Sequence, residues 1–259
     1  MTRIRIAHLY PRELNIYADR GNLLVLTRRA EWRGLGVDVT QIGVGETIES
    51  GAHDVFYLGG GQDRDQLAIA RDLVETKADA LAAAMDDDAV LLAVCGGYQL
   101  AGAGYTSVSG HRMVGAGLLD VDTIAGPTRL IGNLAIEAEL NGERRVVVGF
   151  ENHAGRTRLG SGARSLGRVI HGHGNNGEDG GEGVVQRRAI GTYLHGPLFP
   201  KNPWLADVVL AWALAHATGT DTAPLSPLDD TLEAEAHAVA LDRAAHPRPD
   251  RLIGRRRRG

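Results

Sequence analysis

The stretch Ala89-Val90-Leu91-Leu92-Ala93-Val94-Cys95-Gly96-Gly97 decides the fold. Six consecutive apolar residues without polar alternation describe a strand buried on both faces, as in a parallel sheet covered by helices. The run stops at Cys95, and the glycine pair behind it lets the backbone turn sharply and project the side chain forward. This is the sequence form of a nucleophile elbow, whose following amide can donate to a developing oxyanion. A free thiol titrates at about pH 8.5, so attack at neutral pH needs a neighbouring base or a helix N-terminus. A helix from Tyr98 onward is a source of the second. The bland alternative for a lone cysteine is an inert buried thiol, and the strand-to-turn context argues against it.

Outward from this point, Ile4 to Tyr10 reads as a first strand, Asn22 to Trp32 as a helix stopped by Gly34, and Val37 to Ile42 as a second strand. Val55 to Leu58 is a short apolar run ending at Gly59-Gly60-Gly61, and Gln66 to Met85 is an Ala/Leu-rich helix. With Ala89 to Val94 this gives an α/β class with an open, mostly parallel sheet flanked by helices, which binds ligands at the carboxyl ends of its strands. On the other side, Asn133 to Leu140 and Arg144 to Phe150 flank the hairpin signal Asn141-Gly142. Arg168 to Val169 and Val184 to Tyr193 read as short strands around the polar segment His171 to Gly183, a long flexible loop beside the active site. Asn202 caps a helix that has Pro203 at its first position and runs to about His216. The expected division is a domain over 1–217 and an extension over 218–259, made of a linker, an amphipathic helix from Asp230 to Ala245 and a frayed basic tail.

Composition narrows the function. The 259 residues are 43% hydrophobic and 23% charged, with a net charge of −4, which fits a folded protein without the positive field of a nucleic-acid binder. One cysteine forbids an intrachain disulfide, Met1 to Tyr10 lacks a signal peptide's apolar core, and no segment approaches membrane-spanning length, so a cytoplasmic location is expected. Gly59-Gly60-Gly61 lacks the Lys-Ser/Thr of a P-loop. His171, His173, Glu178, Asp179 and Glu182 sit on a glycine-rich frame with no rigid ligand geometry, so no metal is expected. Arg255 to Arg258 read as a solvated tail, with contact to anionic lipid as the alternative.

His195 stands in Gly191-Thr192-Tyr193-Leu194-His195-Gly196-Pro197, directly after a strand-like run. Alone, such a histidine is more often structural. At a strand end it can accept a thiol proton and return it to a departing amine, a task suited to a group titrating near neutrality.

Ala93 to Gln99 and Gly191 to Gly196 resemble the paired signatures of class I glutamine amidotransferases, in the cobyric acid synthase branch. Leu9-Tyr10-Pro11, Leu14 to Asn22, Gly59 to Asp63, Glu151 to Thr157 and Gly174 to Gly177 resemble one subfamily of that branch, over roughly Leu9 to Pro200. The resemblance implies a flavodoxin-like domain with Cys95 as nucleophile, His195 as its base, and the amides of Gly60 and Gly96 as the oxyanion hole. Gln99 would sit in the pocket behind the nucleophile, and Arg129 would bind glutamine. A guanidinium fork suits an α-carboxylate, although Arg144, Arg145 and Arg156 present the same chemistry. The resemblance also implies a MurT-like Mur ligase partner that holds ATP and Mg and amidates the D-glutamate of lipid II to D-isoglutamine, leaving this chain without a cofactor. One departure matters: Pro197 occupies the usual place of the acid that orients the histidine. Glu151 and an Asp of the partner are the candidates to replace it. Two rival readings remain, a glutaminase serving another synthetase such as one amidating a corrinoid, and a degenerate binding module.

Overall fold

The computed structural model describes residues 2–16 and 20–247. Its first half runs β1 (Arg3–Leu9), α1 (Arg20–Glu31), β2 (Gly36–Ile42), β3 (Val55–Leu58), α2 (Asp63–Asp72), α3 (Ala78–Asp86), β4 (Val90–Val94) and α4 (Gly96–Ala101). Then come β5 (Gly104–Thr106), β6 (Arg112–Val114), β7 (Val121–Leu140), β8 (Glu143–Leu159), β9 (Gly167–His171), β10 (Gly181–Glu182), β11 (Val184–Gln186) and β12 (Ala189–Thr192), followed by α5 (Pro203–Thr218) and α6 (Thr231–Ala245). The main sheet has the order β11-β12-β4-β3-β1-β2, and every pairing in it is parallel except β11 with β12. Without its edge hairpin strand this is the 2-1-3-4-5 order of flavodoxin-like folds, as expected from the strand–helix alternation. All of β3 and β4 is buried, and each Val or Leu so buried contributes about 1.5–3 kcal/mol.

A second sheet, β10-β9-β7-β5-β6 with β8 on β7, stands beside the first. Its spine is the hairpin announced by Asn141-Gly142, both at positive φ (53° and 78°) as a type I′ turn requires. The strands are far longer than the sequence suggests, because pairing resumes across a register shift between Ala125 and Leu130 that spans Gly126 and Pro127.

Several expectations are corrected. The helix expected over Gln66 to Met85 carries a π turn at Leu73–Lys77, where the buried Lys77 ammonium pairs with Asp72 and lies over the Tyr10 ring. Asn202 occupies the N-cap position of α5 without capping it. Its side chain instead bonds Val148 N and O and Leu198 O, stitching β8 to the helix. The segment Val184 to Tyr193 is a tight hairpin turning at Arg187, not one strand. The loop from His171 to Gly183 is pinned rather than flexible: Asn175 and Asn176 are buried, with side chains bonded to Gly183 and to Thr157, Glu178 and Asp179. Glu178 pairs with Arg158 and Glu182 turns inward.

The helix α6 lies against β7 and β8 through Ala244, Ala135 and Val148. Its start is tied to the core by Arg29, buried on α1, which donates to Asp207 on α5 at 2.7 Å and to Asp230 at 2.6 Å. The basic tail Arg255 to Arg258, and Tyr17 to Asp19 within the Leu14 to Asn22 block, lie outside the described residues. Among the described residues no helix is long and apolar enough to cross a membrane.

Candidate active site

The strand β4 ends in the turn anticipated from its sequence. Cys95 has φ 49° and ψ −104°, a conformation that costs a non-glycine residue about 1–3 kcal/mol and persists only where its surroundings enforce it. Two bonds enforce it: the Cys95 amide donates to the Thr192 carbonyl at 2.8 Å, and the Gln99 amide donates to the Cys95 carbonyl at 3.0 Å. The glycines behind it admit a second backbone. A Cβ on Gly97 would stand 2.7 Å from the Gly59 carbonyl oxygen, and one on Gly96 would stand 2.8 Å from that of Gly61. The turn Gly59-Gly60-Gly61 therefore presses directly on the elbow and sets Gly60 and Gly96 on neighbouring backbones at one sheet edge. The helix that follows begins at Gly96, not Tyr98, and is only six residues long, so it offers little dipole to a thiol.

His195 is brought to the same edge by strand pairing. The strand β12 lies parallel to β4 with Thr192 opposite Val94, so Cys95 and His195 follow one and three residues beyond a matched pair. His195 is fully buried, and its amide and carbonyl exchange hydrogen bonds with Phe150 at 2.9 and 3.2 Å.

Cys95 lines a cavity of about 480 Å³ together with Gln99, Asp63, Tyr105, Arg129 and Asn152. Arg129 reaches it from the irregular part of β7, where Nε and Nη2 donate to the Asn152 side chain and carbonyl, both at 2.7 Å. The other candidate forks are committed elsewhere. Arg144 and Arg145 pair with Glu139 and Glu143 at the hairpin tip, and Arg156 donates to the carbonyls of Thr128, Ala154 and Gly155. Asp63 accepts weakly from Tyr105 Oη at 3.4 Å. Burial and the Asp63 charge push the Tyr105 phenol up to about 12, so it remains a neutral donor.

Residues 5–203 match the CobB/CobQ-like glutamine amidotransferase domain. The chain belongs to this family. It is 38% identical over 253 residues, 97% of its own length and 100% of the relative's, to a Staphylococcus aureus protein named lipid II isoglutaminyl synthase (glutamine-hydrolyzing) subunit GatD. A Streptococcus pneumoniae protein of the same name is 38% identical over 90% of this chain and 88% of its own. The cobyric acid synthase of Rhodobacter capsulatus is 31% identical over 80% of this chain, which spans 43% of that enzyme. A chain of the Thermotoga maritima PurLQS structure superposes with a TM-score of 0.54 at 16% identity, covering 84% of this chain and 97% of that one, and supports the fold alone.

In this amidotransferase Glu151, one of the two candidates for the acid missing at Pro197, is engaged with the loop His171 to Gly183. Its fully buried carboxylate accepts from His173 N and Nδ1 at 2.7 Å and from Gly174 N at 2.9 Å, bracing the loop, while His153 Nε2 stands 3.9 Å away. Burial pushes the Glu151 carboxyl up, and the flanking histidines and amides outweigh it, holding it below the usual carboxylate range. Sequence reasoning also missed a buried polar chain behind the nucleophile. Gln66 donates to Gln99 at 3.0 Å, Gln99 to Tyr193 Oη at 3.1 Å, and Tyr193 Oη lies 2.6 Å from Thr157 Oγ1, itself 2.8 Å from Thr123. The Tyr193 ring stacks on His153 at 3.5 Å. Gln99, Tyr193 and Thr157 fall inside motifs quoted from the sequence, as does His153, and nothing local reveals that their polar ends meet.

Proposed function

We propose that this amidotransferase is the glutaminase subunit of a lipid II isoglutaminyl synthase. The observation that carries this is end-to-end similarity to a relative bearing that name, 97% of this chain against 100% of the relative's, combined with a strained cysteine facing a cavity that also holds an arginine fork. Glutamine enters with its α-carboxylate on Arg129 and its α-ammonium toward Asp63, which leaves the side-chain amide at Cys95. His195 takes the thiol proton as sulfur attacks the amide carbon, and the oxyanion forms beside the Gly60 and Gly96 amides. Collapse of the adduct breaks the C–N bond, His195 returns the proton to the leaving nitrogen, and ammonia departs from a γ-glutamyl thioester. Water then attacks the thioester carbon, releasing glutamate and restoring the thiol.

Ammonia protonates in bulk water, so the product needs a shielded route to an acceptor. The acceptor in this reading is a MurT-like Mur ligase that binds ATP and Mg, activates the D-glutamate carboxylate of lipid II at the inner face of the membrane, and supplies the Asp that orients His195. Pro197 in the place of the usual acid and the commitment of Glu151 to the loop favour a partner-supplied group. Affinity capture of the chain from its native cell, with ammonia release measured before and after the partner is stripped, tests the whole reading. Recovery of a Mur-ligase-like protein and a large drop in glutaminase rate on stripping are expected. Recovery of a corrinoid-amidating synthetase, or activity indifferent to Cys95→Ala, overturns it.

A further inference from the structure

Thr192, the last residue of β12, is a junction between the two reacting residues. Its carbonyl accepts the Cys95 amide at 2.8 Å. Its hydroxyl donates to Glu182 Oε1 at 2.7 Å and accepts the Leu194 amide at 3.0 Å, while the same carboxyl oxygen accepts the Tyr193 amide at 2.8 Å. Glu182 is fully buried, and its Oε2 has no hydrogen-bond partner among the described residues. The next residue is held as firmly: the Asn175 side chain donates to the Gly183 carbonyl at 2.9 Å and accepts its amide at 3.0 Å. One carboxyl oxygen, fixed from its own side, thus holds Thr192 and Tyr193 directly and Leu194 through the Thr192 hydroxyl, the three residues that lead into His195.

A buried carboxyl is a costly way to satisfy one hydroxyl and one amide unless its geometry matters. Here the geometry bears on the chemistry, because Cys95 hangs from the Thr192 carbonyl and His195 follows three residues later. Small displacements between a nucleophile and its base cost large factors in rate. We infer that Glu182 is a positioning residue for glutamine hydrolysis: by fixing Thr192 and Tyr193 it sets the placement of His195 relative to the Cys95 thiol. This rests on the reading of Cys95 and His195 as the reacting pair, and Glu182 itself touches neither substrate nor reacting atoms. The task requires an acceptor oxygen rather than a charge, and burial, which pushes the carboxyl up to about 7 against the pull of Thr192 and Tyr193, agrees with that.

The test is steady-state glutaminase kinetics of the assembled complex carrying Glu182→Gln, Glu182→Leu, Thr192→Ser or Thr192→Val, with melting curves and the rate of Cys95 alkylation measured alongside. Glu182→Leu and Thr192→Val are expected to lower kcat by about 10–100-fold with KM little changed. Glu182→Gln and Thr192→Ser, which keep the acceptor and the hydroxyl, are expected to stay within several-fold of the parent. A folded Glu182→Leu with parental kcat overturns the proposal, as does an equal loss in Glu182→Gln, or a loss that tracks the melting temperature with KM rising in step. Should Glu182→Leu fail to fold, the threonine pair decides, and parental kcat in Thr192→Val is fatal. Cys95→Ala and His195→Ala in the same assay report separately on the underlying reading: activity in those variants sinks that reading, whereas their silence with an active Glu182→Leu sinks only this one.

Discussion

Arg129 meets the cavity with one edge of its guanidinium already engaged. Nε and Nη2 lie on Asn152, which orients the plane and turns the remaining donors toward the space that Cys95 also faces. A lysine carries no planar fork and cannot hold Asn152 and an α-carboxylate at once. Arg129→Lys is therefore expected to raise KM for glutamine by roughly 10–100-fold, the loss of one charge-assisted pair of about 1.5–3 kcal/mol, with a smaller change in kcat. Steady-state ammonia release against glutamine concentration checks this, and an unchanged KM removes Arg129 from the binding site. Arginine alone did not reveal this assignment in the sequence. Arg129, Arg144, Arg145 and Arg156 are chemically equivalent until the fold commits the last three to the hairpin tip and to backbone carbonyls.

At the scale of elements, the parts that could be read in advance are those whose identity is local. The run Val90 to Val94 had to be a buried strand, the glycines after Cys95 had to be a turn, and Asn141-Gly142 had to close a hairpin. What could not be read depends on distant partners. The π turn sets Lys77 over the Tyr10 ring and onto Asp72, contacts its own segment does not announce, and the length of β7 is hidden by Gly126 and Pro127, which look like a terminator. The docking of α6 is another such case. Its sequence is merely amphipathic, yet Asp230 before it and Asp207 on α5 converge on one buried guanidinium, with Arg33 also on Asp207 at 2.7 Å. Burial opposes the Arg29 charge, and the two carboxylates prevail, raising its pKa above the ordinary value. Arg29→Met leaves Asp230 without its cation, and breaking such a pair costs about 3 kcal/mol. The expected result is a lower urea midpoint together with amide exchange that rises first in α6. Loss of stability without early exposure of α6 would show that the clamp serves α1 and α5 alone.

For the whole molecule, the pH dependence of stability is a sum of buried groups pulling in opposite directions. Burial, with the nearby Arg20 charge, lowers His8 to about 4, so between pH 4 and 6.5 the unfolded chain binds more protons at this site and stability rises with pH. Asp54 is desolvated, but Arg5 and His216 hold it below the usual range, so its contribution is present above the unfolded value and is lost only in acid. Glu182 runs the other way. Raised to about 7 by burial, with Glu151 adding repulsion and Thr192 and Tyr193 opposing, it binds the proton more tightly in the folded state, so stability falls as pH climbs from about 4.5 to 7. The His8 and Glu182 slopes overlap with opposite sign across most of that window, and the parent should look nearly flat there. Replacing Glu182 by Gln keeps an acceptor for Thr192 and removes the titration, which unmasks the histidine. The difference in unfolding free energy between Glu182→Gln and the parent is expected to grow by on the order of 3 kcal/mol between pH 4.5 and 8, measured by urea denaturation at half-unit intervals. A difference that stays constant across that range would mean that Glu182 ionises in the fold as it does in water, and that the desolvation of its buried carboxyl is relieved by something other than the bonds to Thr192 and Tyr193.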